Sequence, residues 1–331
     1  MKSGDKFSEY VQRSRFGKEG FHLEYERLKA ILKDCKHIRR SEVDGCDEQR
    51  LLATSVSSSE PCPGCEEIFL TEVSLQLSAI VGCFTSRARR LLRPRIVSGF
   101  RRYLLRPGHF FVDYRRQMME EAQNLIIYIA RNAIASRKLL IKYEKVRCRN
   151  SNNNLGSKLQ AKRIELLKSP WLIELCAFYI NASSTGGGDL SEIYGGCSLS
   201  FNITEMNEPS ITCSLLKSVN LDFNLTCPIC LETTFQPVAL GCGHIFCNSC
   251  ACNSVSVPTI SGVKAANKRA KCPLCRQMGV FANSVHLIQS GLLLKKRCKD
   301  VWKERLKFER AERVKEAKEH WNEQSRLFLG F

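Results

Sequence analysis

Proline is scarce, 10 in 331 residues, tryptophan is scarcer at three, and the 20 glycines follow no period of three. A collagen-like chain is thereby excluded, and with 44% apolar residues so is a largely disordered one. No uninterrupted apolar run approaches the roughly 20 residues a membrane-spanning helix needs. The longest, within 125–130 and 171–180, are short or broken by polar residues. The N-terminal MKSGDKFSEYVQRSRF has no apolar stretch long enough for a secretory signal. These absences point to a soluble intracellular chain whose 18 cysteines stay reduced and free to bind metal. Acids are also short, 33 against 51 Lys and Arg, for a net charge of +18. That excess attracts anions: nucleic acid, an acidic membrane face or a polyphosphate.

At one domain per roughly 150 residues the length suggests about two domains. Residues 1–181 read as a helical domain holding 33 basic and 20 acidic side chains, a net of +13, so most of the excess charge sits there. FHLEYERLKAILKDCK places Leu28, Ile31, Leu32 and Cys35 on one stripe. Two later segments are longer than an average globular helix, and SPWLIELCAFYI offers Ser169 as a cap and Pro170 at the first helical position. Residues 182–225 are glycine-rich and polar, five acids against the single Lys217, and read as a flexible linker. A Cys/His-rich unit fills 226–277, and 278–331 form a charge-dense, basic helical tail. Within that tail Leu294, Val301 and Phe308 recur every seven residues, but Lys315 breaks the pattern.

The Cys/His unit carries the chemistry. Its candidate ligands fall as Cys227-x2-Cys230, Cys242-x-His244-x2-Cys247-x2-Cys250 and Cys272-x2-Cys275. Two residues between paired thiolates let both sulfurs turn onto one ion, and zinc takes four such ligands in a tetrahedron. Eight ligands complete two closed structural zinc sites, with no position for a catalytic water. Cys252 is surplus, and Cys62 with Cys65 stands alone.

Seven cysteines and one histidine in this order resemble the RING finger of ubiquitin ligases. The resemblance implies a cross-brace, with Cys227, Cys230, Cys247 and Cys250 on one zinc and Cys242, His244, Cys272 and Cys275 on the other. It also implies transfer without a covalent ubiquitin intermediate, by positioning a ubiquitin-charged conjugating enzyme. The conjugating-enzyme contacts then map onto Ile229, Pro273 and Leu274. Arg276 takes the place of the cation that bridges conjugating enzyme and ubiquitin.

Upstream, MKSGDKFSEY, YERLKAILK and ARNAIASRKLLIKYEKV together resemble the SPX domain, a helical bundle that senses inositol polyphosphates and pyrophosphates. The resemblance assigns Lys2, Tyr25, Lys29, Lys33, Lys138, Lys142 and Lys145 to the phosphate groups, with Ile141-Lys142 standing where the family has two lysines. Lys29 with Lys33, and Lys138 with Lys142 and Lys145, each share one helix face by spacing.

SPX followed by RING resembles the plant nitrogen limitation adaptation, or benzoic acid hypersensitive, family. The fold class expected is therefore a mainly α N-terminal bundle, a small zinc-bound cross-brace RING domain and a C-terminal charged helix. The family implies ubiquitination of membrane phosphate or nitrate transporters and a cytoplasmic chain peripheral at the plasma membrane, with a nuclear pool compatible. The alternative is a non-enzymatic sensor of inositol phosphates whose degenerate RING only docks proteins. Nucleic acid is disfavoured, because no recognition helix or aromatic platform is evident. For the tail, a homodimer contact, a membrane contact and a solvated helix stay open, the last preferred.

Overall fold

The computed structural model describes residues 23–31, 63–92, 109–146, 160, 164, 166–183, 190–193, 197–206, 208–215 and 219–329. They divide into two compact units, Met1–Arg87 with Tyr128–Leu167, and Ala88–Ile127 with Lys168–Phe331.

The first unit is helical. It joins residues 25–31 to α1 (Pro63–Leu92) and to the second half of α2 (His109–Val146). On α1 the buried stripe is Phe69, Val73, Leu77, Ile80 and Phe84, the three-and-four spacing of a helix that packs one face. Buried residues of α2 in this unit include Ile129, Ala133, Leu139 and Tyr143, and the Phe69 and Tyr143 rings stack at 5.6 Å. Leu28 of the short segment is fully buried, as its place in the predicted stripe requires; Leu32 and Cys35 lie outside the described residues. The first backbone N–H groups of that segment are met by side chains of its neighbours. Leu23 N donates to Asn132 Oδ1 at 3.1 Å and Glu24 N to Gln76 Oε1 at 2.9 Å, satisfying donors a helix start leaves open. Residues Glu67–Leu92 of α1, 26 residues containing an 18-residue window of mean hydropathy 1.6, are long and apolar enough to cross a membrane. Counting only uninterrupted apolar runs hides this length, and 28% of that window is buried inside the protein.

The second unit corrects the sequence reading twice. Residues 182–225 are not a flexible linker, because they carry a four-stranded antiparallel sheet: β1 (Leu190–Ile193), β2 (Cys197–Ile203), β3 (Pro209–Leu215) and β4 (Val219–Asn224), in that order. Alternation drives it. Cys197, Leu199 and Phe201 on β2, Ile211, Cys213 and Leu215 on β3 and Phe223 on β4 are buried, and α3 (Pro170–Ser183) packs against β2 and β3. Serines, Thr212, asparagines and Asp222 hold the other face. Helix α3 starts at the predicted Pro170, and it belongs to this unit rather than to the helical one.

The second correction concerns the tail. After β5 (Pro237–Ala239), β6 (Ile245–Cys247) and α4 (Asn248–Asn253), the chain adds β7 (Val285–His286) to the small sheet, with order β6-β5-β7. It continues as α5 (Ile288–Arg297) and α6 (Lys299–Leu329). Leu293 and Leu294 of α5 are fully buried, whereas Val301 and Phe308 are exposed, so the seven-residue spacing marks no common stripe. Trp302 and Leu306 of α6 pack on the zinc unit's core around Phe235, Val238, Phe246 and Phe281. The tail is therefore not a merely solvated helix.

Glu174 joins α3 to α5. Its carboxylate accepts Gln289 N at 2.8 Å, Ser290 N at 2.9 Å and Ser290 Oγ at 2.8 Å, and so serves as the missing cap of α5. Burial pushes its carboxyl above the ordinary range, against the pull of those donors. Glu174→Ala leaves the buried Ser290 N–H and the half-buried Gln289 N–H unpaired and opens space. It is expected to destabilise the chain by about 3 kcal/mol, read as a lower urea midpoint at unchanged zinc content.

Candidate metal centre and its surface

Two knuckles of the same build carry the outer ligand pairs. In the first, Leu231 N donates to Cys227 O at 2.8 Å and Cys227 N to Glu232 O at 2.8 Å. In the second, Arg276 N donates to Cys272 O at 2.9 Å and Cys272 N to Gln277 O at 2.9 Å. The turn throws Leu231 and Arg276 to φ of 59° and 58°, the left-handed region that side chains other than glycine rarely occupy. Such strain persists where something else fixes the loop, here the paired backbone bonds of each turn and the convergence of its two sulfurs. CPICLE and CPLCRQ are thus one structural unit used twice, which the sequence reading passed over.

The inner ligands come from the loop before β6, from β6 itself and from α4. Cys227, Cys230, Cys247 and Cys250 bring their sulfurs within 4.8 Å of one another; so do Cys242, His244, Cys272 and Cys275 with their ligand atoms. This is the pairing implied by the RING resemblance. Cys230 and Cys247 sulfurs lie 3.8 Å apart, and His244 Nδ1 is 3.3 Å from Cys242 Sγ and 3.6 Å from Cys272 Sγ. A zinc tetrahedron with bonds of about 2.3 Å to sulfur and 2.0 Å to nitrogen demands edges of about 3.8 and 3.5 Å. The donor sets therefore fit two zinc ions. Cys252 is buried beside the first cluster and belongs to neither, and Cys62 lies outside the described residues.

Electrostatics agree with the geometry. Hydrogen bonds from Cys247 and Cys250 drive the Cys227 thiol toward the thiolate, and the same contacts push Cys247 up and Cys250 up to about 12. Four thiolates this close repel, and a divalent cation among them removes the conflict. Backbone donors add to the pull: Phe235 N reaches Cys247 Sγ at 3.2 Å and Cys247 N reaches Cys227 Sγ at 3.4 Å. Burial, then the charge of Lys168, lowers the pKa of His244, keeping the imidazole in the neutral form that binds metal. Next to it, Gly243 at φ +87° has Lys168 O only 2.9 Å from where a Cβ would sit, so only glycine fits between the zinc loop and the residues leading into α3.

Outside the two clusters the zinc unit shows a set of exposed apolar side chains: Ile229 and Leu274 at equivalent knuckle tips, Leu231, and Met278 opposite Lys271. Pro273 and Arg276 are exposed with them. Neither Leu231 nor Met278 is among the residues singled out from sequence; the available signal was the place of Leu231 directly after the first ligand pair and of Met278 three residues after Cys275.

In the helical unit the structure brings three of the seven phosphate candidates together. Lys142 Nζ lies 4.9 Å and Lys29 Nζ 5.9 Å from the Tyr25 ring centroid. Lys138 is exposed one turn earlier on α2. Lys29 is tied to Glu26 at 2.7 Å, a contact that raises its pKa. Lys2 and Lys33 lie outside the described residues, as does the side chain of Lys145.

A family model described as RING-type zinc-finger matches residues 227–273. The chain is 42% identical over 340 aligned positions to a probable E3 ubiquitin-protein ligase BAH1-like of Arabidopsis thaliana, and 38% identical over 344 to the E3 ubiquitin-protein ligase NLA of the same plant. A probable E3 ubiquitin-protein ligase BAH1-like 1 of Oryza sativa subsp. indica is 41% identical over 343. Each of these alignments covers the whole of both chains. No solved structure matches.

Proposed function

The chain belongs to the plant BAH1-like and NLA family of RING-type ubiquitin ligases, and from that premise we propose that its helical unit couples ligation to an inositol polyphosphate or pyrophosphate. As a ligase it works with a conjugating enzyme and ubiquitin, and its two zinc sites are structural. Zinc supplies the folding free energy of the knuckles; the protein's own residues do the positioning. Ile229, Pro273 and Leu274 receive the conjugating enzyme, and the Arg276 guanidinium reaches both it and the ubiquitin it carries. Substrates in this reading are membrane transporters of phosphate or nitrate, met from the cytoplasmic side of the plasma membrane.

The observation that carries the sensing half is the pair of ammonium groups over the Tyr25 ring. A polyphosphate would draw both to its oxygens while Tyr25 holds them in register. Titration of the full chain with inositol hexakisphosphate is expected to give binding that weakens with salt. Lys142→Ala should lower affinity about tenfold, or ~1.4 kcal/mol. Lys29→Ala should lower it less, because Glu26 already neutralises that ammonium. A wild-type titration without heat would remove the sensing half and leave the ligase untouched.

A further inference from the structure

Helix α6 is fastened across the first zinc site at several points. Its Trp302 ring lies 4.6 Å from that of Phe235, Arg313 Nη2 reaches Gln236 Oε1 at 3.2 Å, and Glu316 accepts Thr259 N at 2.9 Å. At the centre is Arg305. Its Nη1 meets Glu232 Oε2 at 2.6 Å and its Nε meets Glu309 Oε1 at 3.1 Å. Glu309 in turn accepts Ser249 Oγ at 2.7 Å, and Ser249 lies between the ligands Cys247 and Cys250. Arg305 thus ties the knuckle half of the first site to its helix half from outside the metal.

Two facts set this contact apart from an ordinary surface ion pair, which contributes little. The side chains of Arg305 and Glu309 are only 19% and 9% exposed, so solvent screens that half of the contact weakly and Glu309 holds the guanidinium in place, while Glu232 at 57% exposed meets it from the solvent side. Four thiolates around a divalent ion would leave two net negative charges, and against the opposing effect of its burial the pKa of Arg305 is raised by Glu309, the sulfurs of Cys247 and Cys230, and Glu232 together. The knuckle needs holding: Leu231 is in the left-handed region, and Glu232, the next residue, is where Arg305 takes hold. Ile229 stands at the tip of that same turn.

We propose that Arg305 is a positioning residue for ubiquitin transfer: by gripping Glu232 it fixes the first knuckle, and with it Ile229, in the pose that receives the charged conjugating enzyme. The inference rests on the reading of Ile229 as a docking residue. It is tested with the full chain by following discharge of ubiquitin from a charged conjugating enzyme to free lysine at varied enzyme concentration. R305A is expected to raise the KM for the charged enzyme about tenfold, with kcat within twofold and two zinc ions retained by emission spectroscopy. E232A should raise KM by a similar factor, the double variant should be no worse than either single one, and R305K should recover most of the loss. An unchanged KM in R305A would overturn the proposal. So would a silent E232A beside an R305A that sheds zinc, since Arg305 would then serve only the metal site. If the wild-type chain discharged no ubiquitin, the docking reading itself would fail; an active wild type with an R305A like it sinks the positioning role alone.

Discussion

Replacing Cys247 by Ser is expected to abolish ubiquitin chain formation and to lower the zinc content from two ions per chain to at most one. Cys247 is fully buried, touches Cys230 at 3.8 Å and accepts the Phe235 N–H, so it is both a ligand and a fastening of the core. A structural zinc contributes about 10–16 kcal/mol in isolated finger peptides, as much as the whole stability of a typical domain. The small sheet and its core cannot replace it. The two sites are interleaved along the chain, Cys242 and His244 preceding Cys247 and Cys250, so unravelling the first loosens the loop that carries half of the second. Cys252→Ser, two residues beyond the α4 ligand Cys250 and fully buried, is the control: it should cost stability but keep both ions. Emission spectroscopy on the folded chain, paired with a ubiquitin ladder assay, reads both effects. A C247S chain that kept two ions and full activity would refute the ligand assignment.

The zinc centre was legible because its information is local. Eight ligands at fixed short spacings define two tetrahedra, and only their pairing needed the family resemblance, since alternate loops meet in space and not in sequence. The sheet at 190–224 was hidden for the opposite reason. Cys197-Ser198-Leu199-Ser200-Phe201 alternates with period two, but each strand has only four to seven residues, glycines flank them, and the outward face is serine, threonine and asparagine. Composition therefore read as linker, while burial against α3 decides the outcome. Helix α6 shows the same failure with charge. Arg305 and Glu309 look like a solvated i,i+4 pair, and nothing nearby in sequence announces Glu232 or Ser249 as their partners. Glu174, a carboxylate within an apolar helix, has its reason 115 residues downstream.

Truncating Ile229 to Ala is expected to slow ubiquitin discharge about thirtyfold while leaving zinc content and thermal midpoint unchanged. The side chain is 43% exposed on a knuckle held by its ligand pair, the backbone bonds of its turn and the Arg305–Glu232 contact, so shortening it opens no cavity in the core. What it loses is apolar area offered to a partner. Burying an isoleucine rather than an alanine at an interface centre is worth about 2 kcal/mol, which converts to roughly thirtyfold. The loss should appear in the KM for the charged conjugating enzyme. Arg276→Ala is the informative contrast, since a cation bridging enzyme and ubiquitin acts on the transferring state and its loss should appear in kcat. Arg276 sits at the position of Leu231 in the duplicated turn, so the two knuckles present an apolar residue on one side and a guanidinium on the other from the same backbone geometry. If I229A discharged ubiquitin at the wild-type rate, the docking surface would have to be sought elsewhere on the zinc unit. If R276A changed only KM, the arginine would be a second anchor and not the bridge to ubiquitin.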